Sequence, residues 1–218
     1  MKARTAAQYL PKRLSLRALR EDAAQCRGCD LYKHATQTVF GEGPKRARVM
    51  FVGEQPGDSE DRTGHPFVGP AGRVLRDAME RAGIAIEDAY VTNAVKHFKF
   101  VTRGKRRIHS KPRTIEIRAC EPWLQAEIAV VKPAIVVALG ATAAQALLGP
   151  KFRLTPNRGR VLEGLVPAAA VIATVHPSSI LRAPDSATRH RELAKFEEDL
   201  RVVAEALESL LAQRGEVP

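Results

Sequence analysis

Cysteine is scarce, with three in 218 residues. An odd and small number cannot close a disulfide framework, and two of the three form Cys26-Arg-Gly-Cys29. That pattern argues against a stapled secreted fold and for a reducing compartment with a metal site. Long apolar runs are missing too. Residues 134–148 make one of the longest, but Gly140 interrupts it and it stops short of the ~20 residues a membrane helix needs. No apolar signal stretch follows Met1, and no internal repeat or low-complexity tract is visible. What remains is 44% hydrophobic and 27% charged, close to globular averages, in a length suited to one domain with an appendage.

Acidic residues are absent from two stretches. Residues 1–20 hold six Lys and Arg, and residues 96–113 hold eight, with no Asp or Glu in either. The net charge is +11, but without those fourteen cations 21 basic residues face 24 acidic ones. The body is thus mildly acidic. Residues 1–22 read as a basic tail or linker, with a transit peptide as the less favoured alternative, ahead of a domain over 23–214. Residues 96–113 interleave Phe98, Phe100 and His109 with the cations, as a segment that grips a polyanion would.

Four apolar runs, 48–53, 90–95, 134–139 and 170–175, have the character of buried parallel strands. Helical patterns lie between them at 71–82, at 114–130 with Thr114 as cap, and at 142–148. Near the C-terminus Leu193, Phe196, Leu200, Val203, Leu207 and Leu210 put one stripe on a long helix. Packing against the sheet explains that stripe better than a coiled-coil dimer, so a monomer is expected. The alternation predicts an α/β fold, a three-layer α/β/α sandwich with a central four-stranded parallel sheet. Ligands of such sheets bind at the carboxyl ends of the strands. There the loops deliver Glu54, Asn93, His97 and His176.

The segments Gly53-Glu54-Gln55-Pro56-Gly57, Pro66-Phe67-Val68-Gly69-Pro70-Ala71-Gly72, Val91-Thr92-Asn93 and His176-Pro177-Ser178-Ser179 resemble the signatures of the uracil-DNA glycosylase superfamily, and most nearly its iron–sulfur family 4. Lys105-Arg106-Arg107-Ile108-His109 resembles the loop of the UdgX group, whose members become covalently attached to uracil-containing DNA. The resemblance implies a nucleotide extruded into a pocket and cleavage between uracil N1 and sugar C1′. It gives His176 the developing uracil anion, Asn93 the uracil edge, and Phe67 the stacking face. Gly53, Gln55, Gly57 and Asp58 complete the uracil pocket, with Gln55 offering its main-chain N–H. Glu54 and His109 decide the outcome. An imidazole near C1′ outcompetes water and leaves a stable N-alkyl adduct, with Glu54 orienting it and balancing its proton. Arg107 holds the loop against a carboxylate or a phosphate. Lys105, Arg106, Ser178 and Ser179 contact the DNA backbone.

Family 4 enzymes hold a [4Fe–4S] cluster with four cysteines. Here His97 stands where the third cysteine falls, so the resemblance implies a Cys₃His set of Cys26, Cys29, His97 and Cys120. The same donors suit zinc, and water or His34 remains an alternative fourth ligand. The expected partner is uracil-containing DNA, including single strands, with no membrane role. The expected location is a bacterial cytoplasm, nucleoid-associated when on DNA. Two alternatives stay open: a glycosylase that turns over with water, and a catalytically silent iron–sulfur DNA-binding module.

Overall fold

All four apolar runs are strands of one sheet in the computed structural model, which describes residues 5–162 and 169–213. In chain order come α1 (Leu16–Ala23), β1 (Val49–Gly53), α2 (Asp58–Thr63), α3 (Pro70–Arg81), β2 (Ala89–Asn93), β3 (Phe100–Arg103) and β4 (Arg106–His109). Then follow α4 (Thr114–Val131), β5 (Ile135–Leu139), α5 (Ala141–Leu148), α6 (Leu154–Asn157), β6 (Val161–Leu162), β7 (Ala170–Thr174), α7 (Pro177–Leu181) and α8 (Ser186–Gln213). The sheet order is β2-β1-β5-β7-β6, and β1, β2, β5 and β7 run parallel. The expected four strands therefore become five, because β6 adds an antiparallel edge against β7. Two residues are too few to leave a period in the sequence.

Strand alternation sorts the core into two layers. Val49, Phe51, Ile135, Val137 and Ile172 face α3 and α8, where Phe196, Leu200 and Val203 of the expected stripe are fully buried. Met50, Val52, Val136, Ala138 and Val171 face the opposite layer with Leu124 and Ile128 of α4. The stripe thus packs on the sheet, as a three-layer sandwich requires. Among the described residues no helix is long and apolar enough to cross a membrane.

Two local expectations change. The N-cap of α4 is Arg113 rather than Thr114, because Glu116 Oε2 accepts the Arg113 N–H at 2.6 Å and closes the helix start one residue earlier. The boundary at residue 22 is not a break in the structure either. Ala6, Leu19 and Ala23 are fully buried in a third apolar cluster with Cys26, Cys120 and Trp123. Once those side chains are covered, the segment's cations are left on its outside, and composition alone could not show this. Residues 1–4 and Arg214 lie outside the described residues.

The basic segment is ordered as a hairpin rather than a loop. β3 and β4 pair antiparallel, Phe100 opposite His109 and Thr102 opposite Arg107. Gly104, at φ +57°, takes the first central position of a two-residue turn.

Candidate active site

A cavity of about 580 Å³ opens at the carboxyl ends of the strands. The chain leaves β1 toward β2 on one side and later leaves β5 toward β7 on the other, so the crevice falls where the strand order reverses. Glu54, Gln55, Gly57, Phe67, Asn93, His109, His176, Ser178 and Ser179 all line it, nine of the residues singled out in the sequence.

One wall is built to meet a flat, hydrogen-bonding ligand. Asn93 ends β2 and is only 3% exposed. Its amide makes no hydrogen bond among the described residues and lines the cavity, so its donors and its acceptor are open to a ligand there. Gly53 pairs with Asn93 in register. A Cβ at Gly53 would stand 2.3 Å from Asn93 Oδ1 and 2.8 Å from Phe67 Cζ, so glycine lets both side chains close on the cavity. Phe67 has φ +55°, a costly conformation for an aromatic residue. Its carbonyl accepts from Arg76 Nη1 at 2.8 Å and lies so close to Gly72 that a Cβ there would meet it at 1.6 Å. The Phe67 ring stacks on His176 with centroids 6.1 Å apart.

His176 follows β7 and caps α7. Its Nδ1 accepts the Ser178 backbone N–H at 3.1 Å. A backbone N–H can only donate, so the neutral ring carries its proton on Nε2. Burial lowers the His176 pKa to about 4, against a smaller opposing effect of the Glu54 charge. The site therefore holds a neutral imidazole that donates, the form suited to a developing anion.

Opposite stand Glu54 and His109. His109 Nε2 lies 3.2 Å from Glu54 Oε1, and the imidazole is half-exposed at the cavity mouth. Thr142, at the start of α5, donates its hydroxyl to Glu54 Oε2. Burial pushes the Glu54 carboxyl up, but the bonds from His109 and Thr142 outweigh it and hold the carboxyl below its usual range. Replacing Thr142 with valine is expected to slow the reaction about tenfold, the size of one hydrogen bond to a charged group. The acid limb of the rate profile should also move to higher pH, and serine should restore both. A valine variant with the wild-type profile would remove Thr142 from the site's chemistry.

The hairpin that carries His109 is held from two directions. Arg107 Nη1 pairs with buried Asp61 Oδ2 at 2.6 Å, its Nε pairs with Asp58, and its guanidinium lies 5.0 Å from the Phe100 ring centroid. The Gln55 side chain clamps the hairpin base. Its Nε2 donates to Lys99 O at 3.1 Å and Ser110 O at 3.2 Å, and its Oε1 accepts from Lys99 N at 3.1 Å. Of the two partners expected for Arg107, the structure supplies the carboxylates.

Other expected residues lie elsewhere. Asp58 does not line the cavity; its carboxylate accepts from Arg62 and Arg107, which its position at the start of α2 favours. Gly53 also lies outside the lining, behind Asn93 and Phe67. Lys105 and Arg106 are exposed at the hairpin tip. Thr142, Asp61 and the Gln55 amide were not legible as functional groups. Glu60 was not either, and it accepts from Gly57 N at 3.0 Å and Gly69 N at 2.8 Å, tying the first two signature segments together. A Thr three residues after a strand and polar residues in a six-residue helix carry no distinguishing pattern.

The three cysteines share the third apolar cluster, all as free thiols. Trp123 Nε1–H donates to Cys26 Sγ at 3.2 Å, and Lys96 N–H donates to Cys120 Sγ at 3.3 Å. Burial pushes the Cys120 thiol up to about 12. His97 Nε2 lies 2.9 Å from Thr38 Oγ1, whose single hydrogen goes to Ala23 O at 3.0 Å. Thr38 must therefore accept from His97 Nε2–H, which leaves the lone pair on Nδ1, the arrangement of an imidazole prepared to ligate. Among the described residues no group of three His, Cys, Asp or Glu converges as a single metal ion requires. Zinc needs four donors about 2–2.3 Å from one point.

A mostly parallel sheet that gathers the Asn93 amide, a neutral donor histidine and a partly buried carboxylate in one crevice at its strand ends defines an α/β protein with a ligand site there. Residues 40–201 match the family described as the Uracil DNA glycosylase superfamily, and the chain belongs to it. Its relatives include the Type-4 uracil-DNA glycosylase of Thermotoga maritima, 38% identical over 178 residues, which cover 81% of this chain and 88% of that protein. The Type-4 uracil-DNA glycosylase of Pyrobaculum aerophilum is 36% identical over 177 residues, 78% and 87% of the two chains. That of Saccharolobus solfataricus is 33% identical over 202 residues, 89% and 88%.

Proposed function

We propose that this chain recognises uracil in DNA, cleaves the N-glycosidic bond, and becomes attached to the sugar C1′ through His109 in a single turnover. The observation that carries the reading is the pairing of His109 with Glu54 at the mouth of a cavity whose wall presents Asn93 and neutral His176. The Type-4 relatives support the uracil-excising half of it.

The chemistry follows from the groups in place. The Asn93 amide accepts from uracil N3–H and donates to O4, a pattern cytosine does not match. Phe67 offers a face for the extruded base. As the C1′–N1 bond breaks, its electron pair leaves on uracil, and the His176 Nε2–H stabilises that anion. An imidazole lone pair of His109 forms the new bond to C1′. Glu54 takes up or balances the proton of the resulting imidazolium. The N-alkyl imidazole left once that proton has gone is a poor leaving group with no easy route to hydrolysis, so the reaction stops there. Arg107 and Gln55 hold the hairpin at the distance this attack needs.

His109 is half-exposed, and that favours a second reading in which water enters beside Glu54 and completes a turnover reaction. A denaturing gel separates the two. A uracil-containing single-stranded oligonucleotide should give a heat- and detergent-resistant protein–DNA band. Abasic product without that band would leave turnover as the reaction, and intact uracil would sink both.

Cys26, Cys29, His97 and Cys120 are proposed to hold a [4Fe–4S] cluster, supported by the shared thiol cluster, the N–H donors to two sulfurs, and the free Nδ1 of His97. When bound it fastens the N-terminal segment to α4 and takes no part in excision. Changing His97 to alanine should alter the protein's visible absorbance and lower its iron content. An unchanged spectrum and iron ratio would remove His97 from the set. The proposed setting is a monomer acting on DNA in a reducing bacterial cytoplasm, where it associates with the nucleoid.

A further inference from the structure

The hairpin has two faces, and the reaction uses only one. Strand register puts Phe100, His109, Thr102 and Arg107 on the face turned to the site. The cation of that face, Arg107, is neutralised by Asp58 and Asp61. Val101 and Ile108 stand directly opposite each other on the outer face, with Arg103 and Arg106 as the next pair. Val101 is 50% exposed and Ile108 40%, and neither joins any of the three apolar clusters. Among the described residues Arg103, Lys105 and Arg106 form no ion pair. The protein thus spends two β-branched apolar side chains on solvent and rings them with unpaired cations.

A polyanion with apolar faces fits this surface, because the cations take phosphates while the aliphatic pair covers a base. Ile108 adjoins His109 in the chain, so the outer face begins one residue from the proposed position of the uracil sugar. We infer that the outer face of the hairpin docks an unpaired nucleobase flanking the uracil, with Val101 and Ile108 as its apolar platform and Arg103 and Arg106 on the adjoining phosphates. The inference rests on the proposed reaction only in placing the uracil nucleotide near His109.

Its test separates binding from chemistry. Equilibrium binding is measured by fluorescence anisotropy on single-stranded 15-mers carrying 2′-fluoro-deoxyuridine, whose fluorine blocks departure of the base. Each flanking position on either side is replaced in turn by an abasic spacer that keeps the phosphate. The wild-type protein should lose about tenfold in affinity at one or two positions, the scale of one base contact. Val101→Ser/Ile108→Ser should bind the all-base strand about tenfold more weakly and lose nothing further at those positions. Val101→Leu/Ile108→Leu should restore both the affinity and the sensitivity, which an unfolded hairpin could not do. Two results would overturn the docking face: wild-type insensitivity to every flanking base, or equal further losses in wild type and the serine variant. Failure of the gel assay with this pattern intact would instead indict the reaction and leave the surface standing.

Discussion

Changing His109 to serine is expected to abolish the protein–DNA adduct and to release an abasic site in its place. The wild-type imidazole stands at the cavity mouth, 3.2 Å from Glu54. A positioned nucleophile enjoys an effective concentration that water cannot match, so its removal should cost the covalent step at least about 10³-fold. Serine is smaller and leaves room for water beside the Glu54 carboxylate, which keeps its bond from Thr142. Uracil release should therefore persist while the band disappears. A band of undiminished intensity would move the nucleophile to another residue.

Changing His176 to alanine carries the second large effect, about 10²–10³-fold on bond cleavage, the scale of losing one preorganised donor to a developing anion. Two pH consequences accompany it. Because His176 stays neutral down to about pH 4, cleavage by the wild-type protein should be level from pH 8 to near 5 as far as this group is concerned. Stability has a definite sign as well. A free histidine titrates near 6.5 and native His176 near 4, so between those values the unfolded chain holds the extra proton. The contribution of neutral His176 is fully present above about pH 6.5 and is lost as the pH falls toward 4. In the alanine variant, thermal midpoints should fall less steeply over that interval. Equal slopes would mean that His176 is not buried as described.

The sheet was legible because each of its four main strands is buried on both faces and reads as an apolar run. The α8 stripe was legible because its step of three and four residues survives in sequence. Polar elements were not: α2 is polar throughout, and β6 has two residues. The basic segment hid a hairpin because its alternation mixes cations with apolar residues on one face and aromatics with Arg107 on the other. Site residues at strand ends were found through the resemblance and through the rule that ligands gather there. Thr142, Asp61 and the Gln55 amide act through other side chains, so only the distances reveal them. The N-terminal segment misled because six cations outweighed Ala6, Leu19 and Ala23, three small or apolar residues whose burial depends on what α4 offers them.

The central claim is a bond between His109 and a sugar carbon. The most direct test digests the band from the denaturing gel with protease and nuclease and sequences the peptides by mass spectrometry. The account predicts a deoxyribose-phosphate increment on the imidazole of His109, with uracil lost stoichiometrically. An increment on any other residue, or uracil released with no modified peptide, would contradict it.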